Sequence, residues 1–245
     1  MPRNLTCTAQ NRNNAKILET QNSFGCSVLY NRCVCLRGFS VESTQQKMRP
    51  MFLPEVEQNP QPSAYADLIR AAQQDGGEYW KIWHLFAFRP EMTIHLARFS
   101  HSAMHEEAPI EPKLRELIAA YTSYVNQCEF CYKCHAAIAG ELYGDEALVW
   151  SVLRGLESSP LPEKEKALLR FVGKVTSNLP SVGEADSQRL RNLGWTDDAI
   201  FYTITVCGLF NFYNRWITAS GVPAVSDEGH RSRAKVVAHH GYIRK

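Results

Sequence analysis

From Pro62 onward, apolar residues recur at intervals of three and four along most of the chain, and glycine and proline interrupt the pattern. This spacing places apolar side chains on one face of an α-helix, and no segment shows the alternation typical of a strand. The pattern therefore predicts an all-α fold. Helices are expected near residues 63–74, 79–88, 92–105, 111–126, 128–143, 145–156, 163–178, 185–193 and 197–220.

Several predicted helix ends carry their own signals. Gly76 follows the first helix, and Pro112 stands at the start of the helix near residues 111–126, where a missing N–H costs nothing. Thr196 can cap the last long helix, and Asp197 in its first turn is favoured by the helix dipole. The boundaries of these helices are thus predicted by periodicity and by capping chemistry together.

The first fifty residues differ from the remainder. They are rich in Asn, Gln, Ser, Thr and Arg, lack periodicity and contain no acidic residue before Glu19. We interpret residues 1–50 as a disordered leader or a non-native extension, with a true start at Met48 or Met51, and residues 51–245 as one all-helical domain. An organelle transit peptide has a similar Arg-rich, acid-poor composition and remains an alternative.

Composition and charge narrow the candidate functions. Hydrophobic residues make up 44% of the chain, enough for a substantial core. The net charge is +2, but residues 1–50 carry seven basic and two acidic residues, so the remainder carries −3. This mildly acidic body suggests neither nucleic acid nor an anionic membrane as a partner. The longest apolar run, residues 199–212, is too short to span a bilayer.

Eight cysteines bear on the compartment. A disulfide framework would be plausible in an exported chain, but the first thirty residues contain no apolar segment of the kind an export signal needs. We therefore expect a reducing, cytoplasmic setting with free thiols.

Three cysteines and one histidine, all potentially reactive side chains, lie within the sequence CEFCYKCH at residues 128–135. On a helix that advances about 100° per residue, Cys128, Cys131 and His135 share one face. His135 follows Cys131 by four residues, so its imidazole could accept a proton from that thiol. Cys128 is expected in the first helical turn, where unpaired N–H groups and the helix dipole favour a thiolate.

Three other interpretations of this segment have to be weighed. Cys131, Cys134 and His135 also spell C-x-x-C-H, the attachment sequence of a c-type haem, although covalent attachment normally occurs outside the cytoplasm. The same residues with Cys128 are ligand types for structural zinc, but four ligands within eight residues of one helix cannot surround a tetrahedral ion. Buried core cysteines are the third alternative. We predict neither a metal nor a cofactor.

Glu116, Cys128, Cys131 and His135 together reproduce the pattern E-x(11)-C-x-x-C-x-x-x-H. In this register the chain resembles the alkylhydroperoxidase D (AhpD)-like family, in the peroxidase-related branch of the carboxymuconolactone decarboxylase superfamily. The resemblance covers roughly the last 190 residues, including the closing segment FNFYNRWITASGV. It implies an AhpD-like orthogonal helical bundle in which these four residues form the active set.

The resemblance also implies roles for these residues. Cys131 would be the thiol that attacks the peroxide, and Cys128 would be the resolving thiol or the one that exchanges with a partner. Glu116 would take part in a proton relay with His135. Some family members place a second histidine between the cysteines, where this chain has Phe130.

Two enzyme classes and one other function follow from these observations. The first is a thiol-dependent peroxidase or disulfide reductase that takes a hydroperoxide substrate and an unidentified thiol or dithiol electron donor. The second is a carboxymuconolactone decarboxylase-type enzyme with incidental cysteines, and the third is a non-enzymatic, redox-sensing helical oligomer. A homo-oligomer is expected in any case, because family members usually assemble and because the segment YWKIWHLFAF looks too apolar for a monomer surface.

Overall fold

The structure, a computed structural model, describes residues 48–242. Within that range the chain forms eleven α-helices, one short 3-10 helix at Leu179–Ser181 and no strand, so the predicted all-α class is confirmed. In chain order the α-helices are α1 Pro54–Gln58, α2 Ala64–Asp75, α3 Ile82–Phe88, α4 Pro90–Met104, α5 Pro112–Val125, α6 Glu129–Tyr143, α7 Glu146–Arg154, α8 Glu163–Ser177, α9 Glu184–Asn192, α10 Asp197–Ser220 and α11 Asp227–His240.

Helices α2 to α10 lie close to their predicted positions, and their caps explain why. Thr196 accepts a hydrogen bond from the backbone N–H of Ala199 at 3.1 Å and so begins α10 where the sequence predicted. Gly144 adopts φ +67 and ends α6, a left-handed conformation in which a residue without Cβ is favoured. Local signals therefore set these helix ends.

Helices α1 and α11 were not predicted from the sequence. Helix α1 has only five residues, and α11 reads DEGHRSRAKVVAHH, in which charged and polar residues outnumber apolar ones. Helix α11 is stabilised by tertiary packing against α6, where Lys133 bridges to Asp227 at 3.1 Å. Such a helix has too little apolar periodicity to stand out in the sequence.

The centre of the bundle is made by α5, α6 and α10. Side chains with essentially no exposed surface line the contact between α5 and α6, and small residues let the two helices approach closely: Leu117, Ile118, Ala119 and Ala120 on α5, and Ala136 and Ala139 on α6. Because the predicted active residues lie on α5 and α6, this packing holds them in place.

The aromatic segment at α3 is buried inside the chain. Trp80, Trp83 and Phe86 are each less than 7% exposed, and Phe86 stacks on Tyr65 with ring centroids 4.6 Å apart. The apolar face that was expected to lie at a subunit interface is therefore part of the core and gives no support for an oligomer.

The predicted leader lies outside the described residues, except for its last three positions. From Arg49 onward the chain packs on the bundle: Lys81 donates to the Arg49 carbonyl at 2.8 Å, and Phe52 N–H donates to the Ser220 carbonyl at 2.9 Å. Met51 is only 3% exposed. The dispensability of the preceding segment stays a prediction. Between residues 48 and 242, no helix has the length and apolar character needed to cross a membrane.

Candidate active site

The turn between α5 and α6 places the cysteines at the centre of the bundle. Gln127 has φ +56, a left-handed conformation that is uncommon outside glycine, and Cys128 follows it as the N-cap residue of α6. The N–H of Cys128 donates to the Ser123 carbonyl at 3.0 Å, which closes the turn. Cys128 thus stands one position before the helical turn in which it was expected.

A group of amides ties this turn to α10. The side-chain amide of Asn126 donates to Asn211 Oδ1 at 3.0 Å and to Asn214 Oδ1 at 2.9 Å. Asn214 in turn donates to the hydroxyl of Ser123 at 2.8 Å. These bonds fix the start of α6, and with it the position of Cys128, against the longest helix of the fold.

The two thiols of the C-x-x-C sequence are in direct contact. Cys128 and Cys131 are both buried, and their sulfur atoms lie 3.0 Å apart. A disulfide bond of about 2.05 Å would need them to close by roughly 1 Å. The geometry is therefore that of a reduced pair close to disulfide distance.

The pKa values of the two thiols are pushed in opposite directions. The S–H of Cys131 donates to the Cys128 sulfur and, with smaller contributions from Thr218 and Asn214, lowers the pKa of Cys128 to about 6 in spite of burial. Burial first, and then the neighbouring Cys128, raise the pKa of Cys131 well above its usual value. The thiolate of the resting pair is therefore on Cys128.

Glu116 and His135, a pair that the family resemblance implied, are brought together across the contact between α5 and α6. His135 Nδ1 lies 2.7 Å from Glu116 Oε2, and both side chains are buried. Phe210 packs its ring edge-on to the imidazole with centroids 4.3 Å apart. A carboxylate that accepts Nδ1–H leaves Nε2 of His135 as the atom able to take or give a proton.

The expected contact between Cys131 and His135 is not made in the described structure. The Cys131 sulfur instead lies 3.0 Å from the Cys128 sulfur, although His135 is four residues further along the same helix. Helical spacing made the contact possible, but the lower pKa of Cys128 gives the proton a nearer acceptor.

Tyr242, just after α11, also belongs to this group, and the sequence analysis did not identify it. Its hydroxyl donates to Glu116 Oε1 at 2.6 Å and lies 3.3 Å from His135 Nδ1. The only sequence signal was an aromatic residue beyond the last predicted helix, which is too weak to indicate a site.

An apolar pocket opens onto Cys131 from one side of the pair. It encloses about 80 Å³, and its polar lining includes His135 and Tyr242. A cavity of roughly 150 Å³ holds a benzene molecule, so this one has room for a smaller apolar group. Among the aromatic residues that line it are Trp80, Trp83, Phe86, Phe130 and Phe210. Phe130, where some family members have histidine, thus contributes to the wall of this pocket.

A second, more polar groove reaches Cys128 from the other side. Arg49, Gln127, Glu129 and Thr218 are among its lining residues, and its volume is about 230 Å³. The two thiols are consequently approached from different directions. Cys134 lines the apolar pocket beside Cys131, and burial raises the pKa of its thiol well above the ordinary value.

No group of three or more His, Cys, Asp or Glu side chains in the described residues is arranged to hold a metal ion. Of the four side chains that were considered for zinc, Cys128 and Cys131 contact each other, and His135 is paired with Glu116, which was not among the four. The site therefore consists of a thiol pair beside a hydrogen-bonded carboxylate–imidazole pair.

The part of the chain that holds this site matches a known protein family. The sequence model of the carboxymuconolactone decarboxylase family matches residues 90–142, a range that contains Glu116, Cys128, Cys131 and His135. No curated protein matches the chain in sequence.

Solved structures share the fold. An uncharacterized peroxidase-related protein from Silicibacter sp. TM1040 is 25% identical, covers 74% of this chain and 95% of its own, and superposes with a TM-score of 0.65. An uncharacterized peroxidase-related protein from Ralstonia eutropha JMP134, described as an alkylhydroperoxidase AhpD core, is 22% identical, covers 75% of this chain and 98% of its own, and has a TM-score of 0.62. The debrominase Bmp8 is 16% identical over 72% of this chain and 95% of its own, with a TM-score of 0.57.

Fold and site together define an all-helical protein with a buried dithiol. The comparisons confirm the predicted relationship to AhpD-like proteins within the carboxymuconolactone decarboxylase superfamily. This relationship indicates an enzyme with a peroxidase-related or a decarboxylase-type function.

Proposed function

We propose that this protein is a thiol-dependent peroxidase that reduces hydroperoxides through the dithiol of Cys128 and Cys131. The observation that carries the proposal is the contact between the two thiols at 3.0 Å, with the pKa of one lowered to about 6, beside the hydrogen-bonded pair of Glu116 and His135. A decarboxylase has no need of two neighbouring thiols with divergent pKa values, so this contact favours redox chemistry.

The apolar pocket supports Cys131 as the thiol that meets the peroxide, because Cys131 and His135 both line it. As the peroxide arrives, the Cys128 thiolate takes the Cys131 proton. The Cys131 sulfur then attacks one peroxide oxygen, the O–O bond breaks, and His135 supplies a proton to the departing alkoxide. The products of this step are an alcohol and a sulfenic acid on Cys131.

Cys128 then completes the oxidation. The transferred proton leaves Cys128 for solvent through the polar groove that this residue lines, and the Cys128 thiolate attacks the Cys131 sulfur. The S–S bond forms, the S–O bond breaks, and the departing hydroxide takes up a proton and leaves as water. Two thiols have then supplied the two electrons that reduced the hydroperoxide, and a thiol or dithiol donor must restore them by exchange at Cys128, which faces the polar groove.

Thiol titration with a stoichiometric oxidant tests the proposal. One equivalent of tert-butyl hydroperoxide should remove two of the eight thiols of the native protein, and peptide mass spectrometry should find Cys128 joined to Cys131. Cys131→Ser should abolish hydroperoxide consumption with helical content intact, whereas Cys207→Ser, buried elsewhere on α10, should retain it.

Two results would refute the proposal. One is undiminished hydroperoxide consumption by Cys131→Ser. The other is a disulfide that joins Cys131 mainly to Cys134 or Cys207. Turnover of a lactone or a carboxylated substrate by a variant that lacks both Cys128 and Cys131 would favour the decarboxylase-type alternative.

A further inference from the structure

The chain after α11 turns sharply back into the active site. Gly241 adopts φ +70 with its N–H bonded to the Val237 carbonyl at 2.8 Å. A Cβ at this position would lie 2.7 Å from His101 Cε1 and 2.8 Å from His105 Cδ2. Both the backbone conformation and the neighbouring rings therefore require glycine, and the turn directs Tyr242 at the relay.

Tyr242 completes the hydrogen bonding of a buried carboxylate. Glu116 is 3% exposed, and its two oxygens have separate donors: Oε1 accepts the Tyr242 hydroxyl at 2.6 Å, and Oε2 accepts His135 Nδ1–H at 2.7 Å. The Tyr242 ring also lies nearly parallel to the imidazole, with an interplanar angle of 21° and centroids 6.2 Å apart. Each member of the group thus restrains the other two.

The two donors act together on the orientation of His135. A carboxylate with one free oxygen can rotate about its side-chain bonds and offer either oxygen to the imidazole. With Oε1 occupied by Tyr242, Glu116 presents Oε2 to Nδ1, so the proton stays on Nδ1 and the Nε2 atom stays available for the pocket. Burial, followed by the charge of Glu116, raises the pKa of Tyr242 well above its usual value, so the phenol remains a donor at neutral pH.

We infer that Tyr242 is a positioning residue for the peroxide step, which it serves by holding Glu116 and His135 in the arrangement that protonates the departing alkoxide. The inference rests on the proposed peroxidase function. It extends the relay from two residues to three and makes the short segment after α11 part of the site.

Tyr242→Phe is the direct test, because it removes the hydroxyl and keeps the ring that packs beside His135. Stopped-flow measurement of thiol loss with tert-butyl hydroperoxide should be slower by about 10- to 100-fold, the range expected for loss of one hydrogen bond to a charged group. Oxidation by diamide requires no proton for an alkoxide and should proceed at the wild-type rate. A merely structural role for Tyr242 would slow both oxidants or neither.

Two further variants guard against misfolding and unspecific effects. Gly241→Ala keeps the phenol but displaces it from Glu116, and it should reproduce the selective loss seen in Tyr242→Phe. Tyr143→Phe removes a phenol hydroxyl on α6 that is buried without a hydrogen-bond partner in the described structure, and it should leave both oxidation rates unchanged.

Nitrogen-15 NMR of the His135 ring, assigned with a His135→Asn variant, separates this inference from the proposed function. In the wild type the Nδ1 signal should be that of a protonated nitrogen, and in Tyr242→Phe the two ring nitrogens should shift toward a mixture of tautomers. Unchanged His135 signals would overturn the inference whether or not the protein consumes peroxide. The expected difference between wild type and Tyr242→Phe, without peroxide consumption by the wild type, would instead refute the proposed function and leave Tyr242 as the residue that orients Glu116 and His135.

Discussion

At the scale of single residues, the site depends on which groups hold protons. Cys128 and Cys131 are separated by only two residues and are both buried, yet their pKa values diverge because one sulfur accepts the hydrogen bond that the other donates. The same principle holds for Glu116, whose two oxygens have different donors. Small differences in hydrogen bonding therefore assign distinct chemical tasks to similar side chains.

Removal of the Cys131 thiol should raise the pKa of Cys128. The S–H of Cys131 is the largest cause of the lowered value of about 6, so Cys131→Ala should move the pKa toward the ordinary value of about 8.5. Alkylation of Cys128 by iodoacetamide should fall as the pH drops through about 6 in the wild type and already at higher pH in the variant. Cys207→Ala provides a control for background thiols, and coincident profiles for wild type and Cys131→Ala would contradict the assignment of the thiolate.

Glu116→Gln should slow the peroxide step while leaving Cys128 reactive. The substitution keeps the shape but replaces the charged acceptor of the His135 hydrogen bond by a neutral amide, a loss worth roughly 1.5–3 kcal/mol, or about 10- to 100-fold in rate. Because Cys128 is hydrogen-bonded to Cys131 and Glu116 to His135, the alkylation profile of Cys128 should stay as in the wild type. Glu141→Gln on α6, where the carboxylate is paired with His239 at 3.7 Å, is the matched control. Equal rates of peroxide-driven thiol loss in wild type and Glu116→Gln would show that Glu116 is purely structural.

At the scale of helices, the junction between α5 and α6 determines the site. Glu116 lies on α5, and Cys128 begins α6, so the tight turn at Gln127 brings the carboxylate and the thiols to one level of the bundle. Helix α10 crosses this junction and supplies Asn214, which was not identified from the sequence because its partners Asn126 and Ser123 are far away along the chain.

Asn214→Ala should destabilise the protein through this junction. The buried Ser123 hydroxyl loses its donor and Asn126 loses one acceptor, and burial of an unsatisfied polar group costs about 1–3 kcal/mol. Urea unfolding should show a lower midpoint, and the free energy of unfolding derived from it should fall by that amount. Asn192→Ala, in an exposed pair with Gln188 at 2.9 Å, should change stability by less than about 0.5 kcal/mol. Equal midpoints for Asn214→Ala and the wild type would mean that the amide group is dispensable.

At the scale of the whole molecule, α10 leaves an apolar stripe on the surface. Phe201, Ile204 and Phe212 are 63%, 44% and 48% exposed, and their spacing puts them within about 80° on one face of the helix. Single exposed apolar residues are common, but three large apolar side chains on the same face of one helix are typical of a contact with another molecule.

We predict that the protein self-associates through this stripe. Sedimentation at micromolar concentration should give a mass that is a multiple of 27.8 kDa, and Phe212→Asp should reduce it, because a charge in the middle of the contact would be desolvated. Phe52→Asp, which changes an exposed aromatic residue outside α10, is the control. A wild-type mass near that of one chain would contradict both the predicted contact through the stripe and the sequence-based expectation of an oligomer.

Much of the fold was predictable because its signals are local. Periodicity and caps set helices α2 to α10, and the register of Glu116, Cys128, Cys131 and His135 is sufficient to indicate the related family. Helical spacing is a property of the backbone, so it survives without knowledge of the neighbours.

The remaining features depend on contacts between residues that are distant in sequence. The segment around α3 looked like an interface and is core, because α4 and α10 cover it. Which thiol is ionised depends on burial and on Asn214 and Thr218 from α10, as well as on the pair itself. Tyr242 reaches Glu116, 126 residues away along the chain, only because α11 docks on α6 through packing that its own polar sequence does not reveal. The sequence by itself determined helices α2 to α10 and the chemical groups. The tertiary structure decided the pKa order of the two thiols, the openings that reach them and the contact of Tyr242 with Glu116, since each depends on burial and on partners that no local pattern encodes.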